Sequence, residues 1–184
     1  KVDRTIQQKI AGGYLGDLLA IDVRAAQTSF VDAQSPVTWR QDRDLSGYNM
    51  MLMGAWYEAM MRWIGPASSV TAITRVNVKS RVDDSGNRRV ISIPDHVEVL
   101  CEMAAGAVLH MRFSEVTGLS PSNNVWMFGT KGTPRFEAEH TGETSGLFGG
   151  RRGDTELSEI ELPLEKQGGW RVEEEFINAI RGIE

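Results

Sequence analysis

The sequence predicts an α+β domain, in which an open, largely antiparallel mixed sheet has helices packed on one face. Stretches of alternating apolar and polar residues follow one another with few helices between them, which favours antiparallel pairing. The helix-patterned stretches carry apolar faces that need a sheet to cover them. With 184 residues and 41% hydrophobic content, the chain is long enough to bury the core of one ordinary domain.

The first half of the chain contains two predicted helices around a predicted strand. Ile6 and Ile10 are spaced as on a helix, and Gly12 and Gly13 stop it. The predicted elements are a helix at 3–11, a strand at 18–30, a loop at 32–47, a helix at 48–63, a strand at 70–79, a turn at 83–87 and a short strand at 89–93.

Residues 95–116 give the clearest hairpin. Two alternating stretches, 95–103 and 107–116, flank the three-residue loop 104–106. This loop length predicts three cross-strand pairs, namely Glu102 with Val108, Leu100 with His110, and Glu98 with Arg112. One face of the hairpin is therefore apolar, and the other carries an ion pair.

The last third of the chain predicts further strands and a closing helix. Residues 124–129 pair with 133–138, another strand lies at 155–162, and a helix at 170–181 has the apolar stripe Val172, Phe176 and Ile180. The glycine-rich segment 146–153 lacks the following helix and the Lys-Ser/Thr ending of a phosphate-binding loop. We therefore interpret it as a surface loop.

Composition excludes several classes of function. A formal charge of −5 without a basic cluster argues against nucleic acid as a partner. The longest apolar run, 48–64, is shorter than a membrane span and contains charged residues, so we expect no membrane partner. One cysteine, Cys101, and no visible signal peptide indicate a reducing compartment, and we expect a cytoplasmic location. His96, His110 and His140 lack metal spacing, and we expect His96 and His110 to lie far apart although they share a face of the predicted sheet. We therefore predict no metal.

The segment 36–65 carries the most specific pattern. Trp39-Arg40 lies in a polar loop that ends at Gly47 and leads into a helix that is apolar on almost every side. This segment resembles the C-terminal domain of the glucose–fructose oxidoreductase / inositol dehydrogenase (Gfo/Idh/MocA) family. The runs 129–133 and 170–182 look like further signposts of that family, so the resemblance covers nearly the whole chain.

The resemblance implies a role for five residues. Trp39 and Arg40 would approach the nicotinamide of NAD or NADP, and Asn49, Leu52 and Trp56 would line the substrate pocket. Members of the family usually have the motif Asp-x-Gly-x-His where this chain has Leu52, Gly54 and Trp56. Neither Leu52 nor Trp56 can exchange a proton with a substrate, so the acid–base pair of the family is missing.

Alternative interpretations stay open at these positions. Trp39 can instead pack on the core while Arg40 pairs with Asp42 or Asp44 of the same loop. Tyr57 and Glu58 are the nearest groups that can exchange a proton, and both are weak catalytic candidates. Glu58, however, precedes Arg62 by four residues, in the order that favours an ion pair.

Asn49 has two interpretations of its own. It either caps the helix that follows or holds a substrate hydroxyl.

The function implied by the resemblance is that of a substrate-pocket and oligomerisation domain in an NAD(P)-dependent oxidoreductase acting on a sugar, cyclitol or related polyol. Most of the cofactor would be bound by an N-terminal Rossmann domain that this chain lacks. Lys1 at the start and Glu184 at the end suggest a single domain, 1–184, from a longer two-domain chain that self-associates through its sheet. The alternative is a non-catalytic family member or free-standing domain that serves ligand binding or assembly.

Overall fold

The computed structural model describes residues 2–27, 29–48, 50–139, 144–162 and 172–183. Its strands are β1 (Leu18–Ala26), β2 (Ala67–Arg75), β3 (Ser80–Val82), β4 (Arg88–Val90), β5 (His96–Met103), β6 (Val108–Ser114), β7 (Asn123–Gly129), β8 (Gly132–Ala138), β9 (Thr144–Arg151) and β10 (Ser158–Glu159). The α-helices are α1 (Asp3–Ala11), α2 (Arg43–Ser46), α3 (Met51–Ile64) and α4 (Val172–Arg181), and a 3₁₀ turn spans Trp39–Gln41.

Eight strands form one mixed sheet in the order β10-β9-β8-β7-β1-β6-β5-β2, while β3 and β4 form a separate ladder. Every neighbouring pair in the large sheet is antiparallel except β1 and β6, which run parallel. The predicted open, largely antiparallel mixed sheet is therefore confirmed. Because β1 and β6 run in the same direction, their carboxyl ends meet at one edge of the sheet.

The hairpin of β5 and β6 has the predicted register. Glu102 pairs with Val108, Leu100 with His110, and Glu98 with Arg112. Gly106 in the loop has φ of +91°, a conformation that glycine adopts without steric cost. This agreement follows from local information alone, since loop length and side-chain alternation together fix a hairpin register.

The core lies between the sheet and the helices α1 and α3. Met60 of α3 is fully buried, and it belongs to the same cluster as Ile6 of α1 and Ile21 and Phe113 of the sheet. A hydrogen bond of 2.6 Å from Trp63 Nε1 to Asp3 Oδ1 links the two helices. Helices therefore cover one face of the sheet, as predicted.

The opposite face of the sheet is polar and aromatic. It presents charged and aromatic side chains of the central strands, including Asp22, Arg24, Glu98, His110, Arg112 and Trp126. These side chains are exposed or half-buried. The sheet thus has one face inside the domain and one that solvent reaches.

Two segments near β2 and β9 differ from the prediction. The strand predicted at 70–79 stops at Arg75 because the Asp95 carboxylate accepts the backbone N–H groups of Asn77 and Val78. The glycine-rich segment 146–153, predicted as a surface loop, lies mainly in β9 and pairs with β8. Glycine suits position 149 there, since a Cβ at Gly149 would lie 2.5 Å from the Tyr14 hydroxyl.

The carboxyl-terminal elements also differ in extent. The strand predicted at 155–162 is limited to Ser158–Glu159. The helix predicted at 170–181 is observed over Val172–Arg181, and residues 170 and 171 lie outside the described residues. Its apolar stripe is not buried, because Phe176 and Ile180 are 64% and 68% exposed.

Candidate functional site

A cavity of about 770 Å³ lies at the edge of the sheet where β1 and β6 end and β5 begins. Loop 27–41, the start of α3 and the β3–β4 region close around it. Its lining residues are Gln27, Ser29, Phe30, Asp32, Ser35, Arg40, Gln41, Met50, Leu52, Val78, Arg81, Ile91, Ile93, Pro94, Asp95, Glu115 and Val116.

Three polar side chains extend the buried faces of the central strands into this cavity. Gln27, Asp95 and Glu115 each stand two residues beyond a buried apolar residue of their own strand, which places them on the same face. The backbone N–H of Glu115 donates to the Asp95 carbonyl at 2.8 Å, and that of Gln27 donates to Ser114 at 2.8 Å. The inward face of the sheet therefore changes from apolar to polar at the cavity.

Asp95 is held as a structural carboxylate. It is only 8% exposed, and its oxygens accept the backbone N–H of Asn77 at 2.9 Å, the Asn77 side-chain amide at 2.8 Å and the backbone N–H of Val78 at 2.9 Å. These bonds satisfy both carboxylate oxygens. Asp95 thus holds the segment after β2 against the cavity wall.

Glu115 lies beside Asp95 in a different electrostatic environment. Its half-buried carboxyl group has no side-chain hydrogen bond to the residues that the structure describes. Burial raises the pKa of Glu115, the negative charge of Asp95 raises it further, and Arg81 and Arg40 act in the opposite direction. The cavity therefore holds a carboxyl group whose proton affinity is increased.

Arg40 lines the cavity, whereas Trp39, the residue before it, is not among the described residues that line it. Hydrogen bonds between Thr38 and Gln41 hold the 3₁₀ turn. The Thr38 N–H and hydroxyl donate to Gln41 Oε1 at 2.9 and 3.1 Å, and the Gln41 N–H donates to the Thr38 carbonyl at 3.0 Å. The Arg40 guanidinium lies 4.7 Å from the centroid of the Trp39 ring, and Trp39 is 48% exposed. Asp42, which sequence analysis offered as a partner of Arg40, instead forms an ion pair with Arg89 at 3.7 Å.

Leu52 and Trp56 of α3, which were predicted to line one substrate pocket, lie in different surroundings. Leu52 lines the cavity. Trp56 packs on the core, with its ring 6.2 Å from that of Phe136, and it is not among the described residues that line the cavity. Asn49 lies outside the described residues.

The two weak catalytic candidates on α3 also lie away from the cavity lining. The Tyr57 hydroxyl accepts the backbone N–H of Ala67 at 3.2 Å and borders a separate apolar cleft of about 330 Å³. Glu58 forms the expected ion pair with Arg62, whose Nε is 2.9 Å from Glu58 Oε1. Both side chains therefore already have partners within the fold.

Cys101 and the described histidines lie on β5 and β6. Cys101 is buried, and burial raises the pKa of its thiol, as expected for a core cysteine. His96 and His110 were predicted to lie far apart, but both imidazoles contact the carboxylate of Glu98, at 3.3 and 2.9 Å. His140 lies outside the described residues.

Neither a metal centre nor a membrane span is found among the described residues. In that part of the chain, no three His, Cys, Asp or Glu side chains come together in a way that would hold a metal ion. None of its helices has both the length and the apolar character needed to cross a bilayer.

The residues that make the cavity polar were not predicted from the sequence. Gln27, Asp95 and Glu115 fell within predicted strands and were given no role, and Arg81 fell between the predicted strand 70–79 and the predicted turn 83–87. A signal for them exists, because each of the first three keeps the two-residue spacing of its strand's buried face while changing from apolar to polar. A polar residue in phase with a core face indicates either a buried network or a site.

An open mixed sheet with helices packed on one face is the fold of a dehydrogenase-type carboxyl-terminal domain. The sequence model of the GFO/IDH/MocA C-terminal domain matches residues 4–135, which is most of the chain. The chain therefore belongs to the Gfo/Idh/MocA family. Comparison with curated protein sequences finds no match.

Solved structures show the same fold at low sequence identity. Levoglucosan dehydrogenase in complex with NADH and L-sorbose superposes with a TM-score of 0.75 at 18% identity, covering 95% of this chain and 51% of its own. An NAD binding oxidoreductase from Klebsiella pneumoniae gives 0.72 at 18%, covering 86% and 44%. The transcriptional regulator Gal80p from Kluyveromyces lactis gives 0.68 at 15%, covering 90% and 44%. The chain spans about half the length of these proteins.

Proposed function

We propose that this chain is the substrate-pocket and oligomerisation domain of a cytoplasmic NAD(P)-dependent oxidoreductase that acts on a sugar, cyclitol or related polyol. It would form one unit, 1–184, of a longer two-domain protein. The observation that carries the proposal is the polar cavity of about 770 Å³ at the end of the sheet, bordered by the Trp39-Arg40 turn. Family membership supports the reaction class.

The lining of the cavity suits a polyhydroxylated ligand. Gln27, Gln41 and Arg81 supply donors and acceptors, while Leu52 and Ile91 supply apolar surface. A polyol offers several hydroxyl groups that each need a hydrogen-bond partner when water is removed. Levoglucosan dehydrogenase, with the same fold, is known in complex with NADH and L-sorbose, which is consistent with this class of substrate.

The Trp39-Arg40 turn fits a nicotinamide dinucleotide. The half-exposed indole is a flat surface on which a ring can stack, and the guanidinium beside it can bind a phosphate or an amide oxygen. When bound there, a nicotinamide would accept or supply a hydride at the mouth of the cavity. The proposed contact is with the nicotinamide end of the cofactor, which NAD and NADP share.

Fluorescence quenching tests this placement in the full-length protein. The substitution Trp39→Phe should reduce the quenching of tryptophan fluorescence by NADPH or NADH, because it removes the indole that the proposal places nearest to the cofactor. Trp126→Phe is the matched control, since Trp126 lies on the opposite face of the sheet. Equal quenching in the wild type and the Trp39 variant would contradict the placement.

A non-catalytic role is the second candidate. Leu52 lines the cavity but cannot exchange a proton, and Gal80p, described as a transcriptional regulator, shares the fold. On this alternative, the cavity binds a ligand, or the sheet binds a partner, without a reaction. Assays of the full-length protein with a panel of sugars and polyols and both dinucleotides separate the two, because only the enzyme would interconvert oxidised and reduced nicotinamide.

Self-association would use the open face of the sheet. Trp126 and Phe128 stack there at 5.8 Å, and the Arg135 guanidinium lies 5.0 Å from the Trp126 ring and 4.7 Å from that of Phe148. Clusters of aromatic residues and arginine are typical of the centres of protein interfaces. Sedimentation velocity of the wild type and Arg135→Glu tests this, with a smaller species expected for the variant and an unchanged one contradicting the proposal.

A further inference from the structure

Among the residues that the structure describes, three with carboxyl groups line the cavity, and two of these carboxyl groups are hydrogen-bonded to backbone N–H groups of the fold. Asp32 accepts the backbone N–H groups of Gln34 at 2.8 Å and Ser35 at 3.3 Å in a tight turn. Its pKa is lowered chiefly by the Gln34 bond. Asp95 has both oxygens occupied by the segment after β2. Both carboxylates thus accept backbone N–H groups of segments that shape the cavity wall.

Glu115 is the third carboxyl group, and its side chain has no such commitment among the described residues. It occupies the first inward-facing position after β6, where the sheet ends and the cavity begins. Asp95 of the neighbouring strand, Arg81 of β3, Arg40 of the 3₁₀ turn and Asp32 of loop 27–41 are the charged groups that share its cavity. Glu115 is thus positioned to contact a ligand rather than to hold the fold.

We propose that Glu115 is the group that exchanges a proton with the substrate hydroxyl in this cavity, an inference that rests on the proposed oxidoreductase function. When a carbinol is oxidised, its O–H bond breaks and the proton passes to the Glu115 carboxylate. Its C–H bond breaks with the electron pair, which leaves as a hydride to a bound nicotinamide dinucleotide. The C–O bond becomes a carbonyl, and Glu115 then releases its proton to solvent; reduction is the reverse.

The surroundings of Glu115 suit a general base. Burial and the charge of Asp95 raise its proton affinity above that of an exposed glutamate, which brings it closer to the working pH of a proton-transfer group. Arg40 and Arg81 favour the ionised form, so the carboxyl group can still release its proton. The opposing charges keep both protonation states accessible.

The groups on α3 are poorer candidates. Leu52, which does line the cavity, has no exchangeable proton. The Tyr57 hydroxyl is bound to Ala67 at the edge of the separate apolar cleft. Glu58 is paired with Arg62 on the exposed side of the helix.

Steady-state kinetics of the full-length protein test the inference with an isosteric variant. Glu115→Gln should lower kcat by about a hundredfold or more with little change in KM, and should abolish the decline of kcat/KM on the acid side of the pH profile. Glu115→Asp, which keeps the charge on a shorter chain, should recover part of the loss. Glu102→Gln is the matched control, because Glu102 is an exposed glutamate at the far end of the same hairpin.

A stability measurement gives a readout that does not depend on turnover. A carboxyl group with a raised native pKa stabilises the fold fully below its ordinary pKa of 4.5, and this contribution is lost as the pH rises through the native value. The neutral glutamine has no such loss. The melting temperature of Glu115→Gln relative to the wild type should therefore rise with pH above 4.5.

The outcomes separate the inference from the function on which it rests. If the wild type oxidises a polyol and Glu115→Gln retains that turnover, the role of Glu115 is overturned while the oxidoreductase function stands. If the wild type transfers no hydride with any sugar or polyol tested, the proposed function fails, and the inference fails with it. If Glu115→Gln does not fold, Glu115→Asp decides, since turnover and an acid limb of the pH profile equal to those of the wild type would argue against proton exchange by this carboxyl group.

Discussion

The hairpin of β5 and β6 presents two acidic regions that differ in how their charge is used. On the open face, the Glu98 carboxylate contacts Arg112 Nε at 2.6 Å, His110 Nε2 at 2.9 Å and His96 Nε2 at 3.3 Å. At the end of the hairpin, Glu115 is similarly half-buried but has no comparable partner among the described residues.

Burial acts on both carboxyl groups in the same direction, so the partners decide the outcome. Burial would raise the pKa of Glu98, but the hydrogen bonds and charges of Arg112 and His110 outweigh it, and the pKa is lowered. For Glu115, burial and Asp95 outweigh the two arginines, and the pKa is raised. A satisfied carboxylate stabilises the fold, whereas an unsatisfied one beside a cavity is available for chemistry.

The largest expected effect concerns Asp95, the satisfied carboxylate closest to the cavity. Asp95→Ala would leave the N–H groups of Asn77 and Val78 without an acceptor in the cavity wall. We expect a loss of about 3 kcal/mol in the free energy of unfolding, measured by urea denaturation. The matched control is Asp83→Ala, whose carboxylate accepts the N–H groups of Ser85 and Asn87 in an exposed turn. Equal losses in both variants would contradict a special role for Asp95.

A smaller effect is expected for Glu98. Glu98→Gln keeps the shape of the side chain but removes the charge that Arg112 and the histidines face, which should cost about 1–2 kcal/mol at about pH 7. Since the native pKa of Glu98 is lowered, its stabilisation is present above the ordinary value of 4.5 and is lost as the pH falls through the native value. Denaturation at a series of pH values should show the free energies of unfolding of the wild type and of Glu98→Gln becoming equal in acid. A constant difference would show that the charge is not the cause.

Local patterns were sufficient to predict one of the two regions. The pairing of Glu98 with Arg112 follows from the loop 104–106 and from strict alternation, both of which lie within one hairpin. The fold class follows in the same way from the succession of short alternating stretches. The glycine-rich β9 could not be predicted, because glycine disfavours strands unless another chain segment, here Tyr14, lies against them.

The cavity depends on contacts between distant parts of the sequence, which local patterns do not reveal. The carboxyl ends of β1 and β6 meet at the cavity because these strands pair in parallel, although more than eighty residues separate them in the sequence. Asp95 takes its partners from the segment after β2, which also cuts short the strand predicted there. Residues such as Trp39 and Arg40 were found through the family resemblance, and their role in cofactor binding stays a prediction.

The smallest effect on stability is expected for the exposed ion pair of Glu58 and Arg62. This pair lies near neither Glu98 nor Glu115 and serves as the reference for a solvent-exposed charge. Glu58→Gln should reduce the free energy of unfolding by about 0.3–0.5 kcal/mol, the usual size for an i,i+4 pair on a helix surface. Added salt should shrink this difference, because the two side chains are 55% and 49% exposed and therefore screened. Thermal melts of both proteins at low and high salt measure it. A loss of turnover of about a hundredfold with unchanged stability would instead assign proton transfer to Glu58 and would contradict the choice of Glu115.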